Sequence, residues 1–105
     1  MTRTLRGYFF AALLVVVGTS GTTLAQDVGD KLELCMSCHG EAGHPQMPGV
    51  PSLAGRPAAE LSSQLMLFRD GQRQNPQMVM AKRLTDEEIA ALAAYFAGQK
   101  PKSGS

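Results

Sequence analysis

Tryptophan is absent from these 105 residues, and only two cysteines and two histidines occur. Two cysteines cannot build a multi-bridge disulfide framework, and a four-ligand zinc site would have to draw in both histidines. Glycine and proline, at eleven and six, fall well short of a collagen-like or low-complexity composition. A repeat of 20 to 50 residues, of the kind that builds solenoids, has no room in so short a chain. Strand-like alternation of apolar and polar residues is missing from every segment. A large excess of either charge is missing too, since the formal net charge is +1, so nucleic acid is not an expected partner. What remains is a single small helical domain.

Apolar residues are unevenly spread. Tyr8 to Val17 form an unbroken apolar run, preceded by Arg3 and Arg6 and followed by small residues ending Thr23-Leu24-Ala25. A basic start, an apolar stretch of about 7 to 15 residues and small residues at the end describe a secretory signal peptide. Residues 1–25 are therefore expected to be a leader cleaved after Ala25, leaving a domain over 26–105 with no stable membrane span. The alternative is an uncleaved anchor, but ten helical residues at about 1.5 Å each reach only half way across a ~30 Å hydrocarbon core.

Without its leader the chain has only Phe68, Tyr95 and Phe96 as aromatics. Ordering each residue costs about 1 to 2 kcal/mol of backbone entropy, and domains of this size usually need a disulfide, metal or cofactor to hold them. Both cysteines lie in Cys35-Met36-Ser37-Cys38-His39. A disulfide there closes a very short loop and stabilises little. A thioredoxin-like redox pair belongs with a βαβ context that this chain lacks, and a zinc site with adjacent Cys38 and His39 is poorly arranged for a tetrahedron. C-x-x-C-H is also the signature of covalent haem attachment, which uses all three residues. On a helix, residues three apart share a face and can reach the two vinyl groups on one side of a porphyrin, with His39 beside the second to ligate the iron.

The helical signals come in three blocks. Residues 28–38 place Leu34 and Cys38 on one face and run to Gly40, which suits a left-handed C-terminal cap. Residues 40–56 are rich in Gly and Pro and read as loop. A middle helix is predicted from Pro57, with Leu61, Leu65 and Phe68 on one stripe and Gly71 as its stop. Residues 72–84 read as irregular, broken by Pro76. Thr85-Asp86-Glu87-Glu88 forms a capping box for a last helix, whose stripe is Ile89, Leu92 and Phe96 and which Gly98 and Pro101 end. Tyr95 and Phe96 are expected to hold the last helix against the first. Met66, inside the middle helix, is expected to fill core space, and His44 to be a solvated loop imidazole.

The succession CxxCH, then Pro51-Ser52-Leu53-Ala54-Gly55, then Phe68-Arg69-Asp70-Gly71, then Asn75-Pro76-Gln77-Met78, then Leu84-Thr85-Asp86 leading to Ala94-Tyr95-Phe96 resembles class I cytochromes c. It is most similar to the haem domains of the dihaem cytochromes c-four and of sulfide-oxidising flavocytochromes, in a version with one haem. The resemblance covers nearly all of residues 30–98. It implies an all-α fold of three main helices and loops wrapped around one covalent haem c, held by Cys35 and Cys38, with His39 as one axial iron ligand. It implies a Met just after a Pro as the other ligand, which points to Met78. The interval Val79–Arg83 is one residue shorter than the family's spacing, so Met80 stays open. Pro51 is implied to accept a hydrogen bond from His39 through its carbonyl, and Leu53 and Leu65 to line the haem pocket. Met36, Met47 and Met66 are weaker candidates for the iron.

Such a protein carries one electron at a time in the periplasm and is not itself an enzyme; alternatively it is the electron-accepting haem subunit of a sulfur-oxidising or other dehydrogenase complex, with a flavoprotein among the possible partners. A peroxidase or gas sensor would require both Met78 and Met80 off the iron. Without Arg3 and Arg6, eight basic residues face nine acidic ones. Asp27, Asp30, Glu33 and Glu41 crowd the first part, and Arg56, Arg69, Arg73, Lys82 and Arg83 the later part. That asymmetry suggests steering toward acidic redox partners.

Overall fold

A computed structural model describes residues 11–16, 18 and 22–102, the first six residues of the opening helix by backbone alone. The basic start of the expected leader and residues 19–21 of its small-residue end lie outside the described residues. Three α-helices follow in chain order: α1 (Thr22–His39), α2 (Ala58–Arg69) and α3 (Asp86–Ala97). Two 3-10 segments, Glu41–Gly43 and Pro76–Arg83, sit between them, and there is no strand among the described residues. The architecture is the expected all-α one. No helix among the described residues is long and apolar enough to cross a membrane.

α3 forms for the reason its sequence suggests. Thr85 Oγ1 accepts from the Glu88 amide at 3.1 Å while Glu88 Oε1 accepts from the Thr85 amide at 2.8 Å, and Asp86, Glu87 and Glu88 face the positive end of the helix dipole. Ile89, Leu92, Ala93 and Phe96 make its buried stripe. In α2, Leu61 and Phe68 are buried and Leu65 half-buried, and the chain turns out of the helix at Gly71 with φ +79°.

Three local expectations are corrected. α1 begins at Thr22 rather than near residue 28, and so runs through Ala25. Gly40 ends α1 at φ +84°, ψ 162°, a mirror-extended conformation rather than a left-handed helical one. A Cβ there would lie 1.8 Å from the carbonyl oxygen of His44, so the tight return of the chain admits only glycine. The third correction is the stretch expected to be irregular, which is a 3-10 segment. Asn75 Oδ1 accepts from the Gln77 amide at 2.9 Å, and Pro76 sits at the first position, where it lacks no needed donor.

The core is thin. Phe68, Ala81, Leu84, Ile89 and Leu92 form one buried cluster, and Leu61, Ala93 and Phe96 another. Leu32 and Cys35 of α1 touch both. Tyr95 and Phe96 meet edge to face, with centroids 5.2 Å apart, in the cluster that also takes in Leu32 and Met36. α1 is further tied to α3 by an ion pair from Lys31 to the buried Glu88. Ile89 and Leu92 are the only large side chains with under 2% exposure among the described residues. Met66 stands 37% exposed on α2, so it fills no core space.

Candidate cofactor site

Where a larger domain would have its centre, this one has a cavity of about 600 Å³, inside the range of roughly 300–1,000 Å³ usual for ligand sites. α1 contributes Cys35, Cys38 and His39; the loop after it Pro51 and Leu53; α2 Leu61, Leu65 and Phe68; the second 3-10 segment Met78 and Met80; and α3 Leu92 and Phe96. All eight residues singled out from the sequence thus line one space.

The α-helical pitch sets Cys35 and Cys38 on the same face of α1, and neither forms a disulfide. Burial pushes the Cys35 thiol above its ordinary range, with a backbone hydrogen bond opposing in part. A redox-active dithiol does the reverse, since it lowers a thiol pKa to make thiolate. No group of three or more His, Cys, Asp or Glu that could hold a metal ion occurs among the described residues, which removes the zinc alternative there.

His39 is 8% exposed, and its Nδ1 lies 2.9 Å from the carbonyl oxygen of Pro51. A carbonyl can only accept, so Nδ1 carries the proton, and in the neutral tautomer that this fixes, the lone pair is on Nε2. Nε2 has no partner among the described residues. A buried imidazole with one nitrogen committed and the other bare is the state in which histidine ligates a metal.

Met78 and Met80 both line the cavity, and Met78 also touches the Phe68–Leu92 cluster. Met36 is turned toward Leu61, Ala93 and Phe96, while Met47 and Met66 are 46% and 37% exposed, and none of the three lines the cavity.

The basic stretch singled out in the sequence supplies most of the pocket's charged lining, and Lys31 is the member that sequence reasoning missed. Lys31, Arg56, Arg73 and Arg83 border the cavity, and no carboxylate among the described residues does. Arg56 pairs with Glu60 at 3.0 Å, and Arg73 reaches Gln64 and lies 4.6 Å over the Phe68 ring. An apolar interior with cations at its border suits a flat, largely apolar group bearing carboxylates. Leu34 and Val79, 47% and 57% exposed, also border the cavity. Helical spacing already sets Leu34 on the face of Cys38, but the positions of the arginines depend on how distant segments meet.

Residues 25–96 match the family described as cytochrome c oxidase, cbb3-type, subunit III. The chain is 40% identical over 75 residues to cytochrome c-554(548) of Halomonas halodenitrificans, covering 68% of this chain and 90% of the relative. It is 36% identical to cytochrome c4 of Pseudomonas aeruginosa over 89% of this chain and 49% of the relative. It is 44% identical to a thiosulfate dehydrogenase electron acceptor of Thiomonas intermedia over 64% of this chain and 32% of that protein. The chain therefore spans nearly all of the first relative and half or less of the other two. With this family match and this helical fold, the chain belongs to the class I c-type cytochromes, which bind haem c covalently and act as electron carriers rather than enzymes.

Proposed function

We propose that the chain is a periplasmic one-electron carrier in which Cys35 and Cys38 bind haem c covalently, His39 is one axial iron ligand and Met78 the other. The observation that carries this reading is the convergence of the two thiols, the bare Nε2 of buried His39 and the Met78 thioether on one cavity. When bound, the cofactor supplies a ferric/ferrous couple.

The remaining functions fall to the polypeptide. Cys35 and Cys38 would hold the group through two thioethers, each formed by adding S–H across a vinyl double bond with no oxidant required. Pro51 fixes the ring and tautomer of His39 and raises its donor strength. The soft sulfur of Met78 favours the reduced metal. Leu53, Leu61, Leu65 and Phe68 exclude water, and Lys31, Arg56, Arg73 and Arg83 offer cations to the propionates. With His39 and Met78 both committed to the iron, no open coordination position would be left for a substrate, and Leu34 and Val79, exposed at the cavity border, mark where a redox partner would approach.

Export is read from the leader, with the mature chain starting at Gln26. The similarity to thiosulfate dehydrogenase electron acceptors supports a sulfur-oxidising dehydrogenase as electron donor, either as a transient partner or in a lasting complex. Stable co-purification of such a dehydrogenase would favour the complex.

Expression with a haem-maturation system, followed by spectra of both redox states, tests the ligand set. The wild type should show the weak Met-to-iron charge-transfer band near the red end of the ferric spectrum, lost in Met78→Ala and kept in Met80→Ala. Loss in Met80→Ala alone would move the ligand by two residues. Absence of the band from the wild type would refute Met ligation.

A further inference from the structure

His44, expected to be a solvated loop imidazole, has a long-range partner: its Nε2 lies 2.8 Å from the carbonyl oxygen of Lys100. The acceptor belongs to the chain leaving α3, fifty-six residues on. That tail is closely seated, because a Cβ on Gly55 would lie 2.5 Å from Pro101 Cγ, and the Gly55 amide donates to Phe96 O at 2.9 Å.

The residue before His44 bears on the site. The carbonyl oxygen of Gly43 accepts from the amides of Leu53 and Ala54 at 3.0 and 3.4 Å and from Ser52 Oγ at 3.2 Å. Those three residues directly follow Pro51, whose own carbonyl accepts from His39 Nδ1. A continuous series of contacts thus runs from the C-terminal tail through His44 and Gly43 to Ser52–Ala54, Pro51 and His39. We infer that His44 is a positioning residue for the haem centre: by clasping the tail it holds the 40–55 loop in the register that keeps Pro51 O on His39. The inference rests on the reading of His39 as an axial ligand.

Loss of the clasp frees Pro51 O to fluctuate, which weakens its bond to Nδ1 and makes the imidazole a poorer donor. Poorer donation stabilises the ferric state less, so the reduction potential rises. The test uses the full-length haem-loaded protein as wild type, His44→Ala and His44→Gln, the last because a glutamine amide can place an N–H donor near the position of Nε2. In the ferrous state, solvent exchange of the His39 Nδ1 proton, followed by NMR, should speed up about tenfold or more in His44→Ala. The potential should rise in the same variant, and both should return toward wild type in His44→Gln.

A lower melting temperature in His44→Ala, with exchange and potential unchanged, would make His44 merely structural and overturn the inference. Failure of His44→Gln to differ from His44→Ala would overturn it equally. The underlying reading fails separately, and visibly, if His39→Ala retains the wild-type low-spin spectrum.

Discussion

Glu88 performs two tasks with one carboxylate. It closes the capping box on Thr85 and neutralises Lys31 of α1 from a side chain only 4% exposed. Lys31, followed by the Thr85 amide, holds the Glu88 carboxyl below the usual carboxylate range. A pKa lowered by folding stabilises the native state fully above the unfolded value of about 4.3, and that stability is lost as pH falls through the folded value. Glu88→Gln should therefore cost about 1–3 kcal/mol at neutral pH, the usual range for leaving a buried polar partner unmatched. Denaturant titrations along a pH series should show the gap to wild type narrowing below pH ~4, as the carboxyl protonates first in the unfolded chain and then, at lower pH, in the folded one. A gap constant down to strong acid would place the effect in shape rather than charge. At this scale local chemistry is legible in the sequence and distant contacts are not. Thr85 and Glu88 are three residues apart and announce their contact, whereas nothing near His44 announces Lys100. The exposure of Met66 likewise depends on which face of α2 its neighbours cover.

Among the elements, the 3-10 segments Glu41–Gly43 and Pro76–Arg83 are those whose sequence predicts no regular form, although Asn75 and Pro76 are a start signal for the second. That signal stands alone because the residues beyond it have no 3.6-residue apolar stripe. A 3-10 run needs none, and here only Ala81 is buried. The three α-helices are legible from their stripes, α1 incompletely, because its first turns precede any periodic pattern. Asn75→Ala should remove the cap on the segment that bears Met78 and Met80, at about 0.5–2 kcal/mol. If the loss is confined to that segment, the Met-to-iron band will disappear at lower denaturant than the helical circular dichroism, with the separation wider than in wild type. Coincident transitions in both proteins would show that the segment and the helices unfold as one.

For the whole molecule, the small core and the large cavity express one design. With Ile89 and Leu92 as the only large side chains that are fully enclosed among the described residues, the polypeptide buries too little to fold firmly alone. Chain produced without haem attachment should retain part of its helix but lack a cooperative thermal transition and near-ultraviolet circular dichroism. A sharp transition in that material would contradict the cofactor's place as interior. Charge acts at this scale too. Arg73 and Lys82 flank Val79 around a smaller cleft of about 220 Å³ beside Met78. Electron exchange with an acidic protein partner should slow as salt rises, because screening at 0.1 M reaches about 10 Å. Lys82→Glu should slow it at low salt and flatten the dependence. An unchanged slope would place docking on another face.

Of the four cations that border the main cavity, Lys31 and Arg56 are already paired with Glu88 and Glu60, which leaves Arg73 and Arg83 with no carboxylate partner among the described residues. A haem seated there would bring two propionates against those two charges, so the border would balance the group it holds instead of drawing electrons toward it.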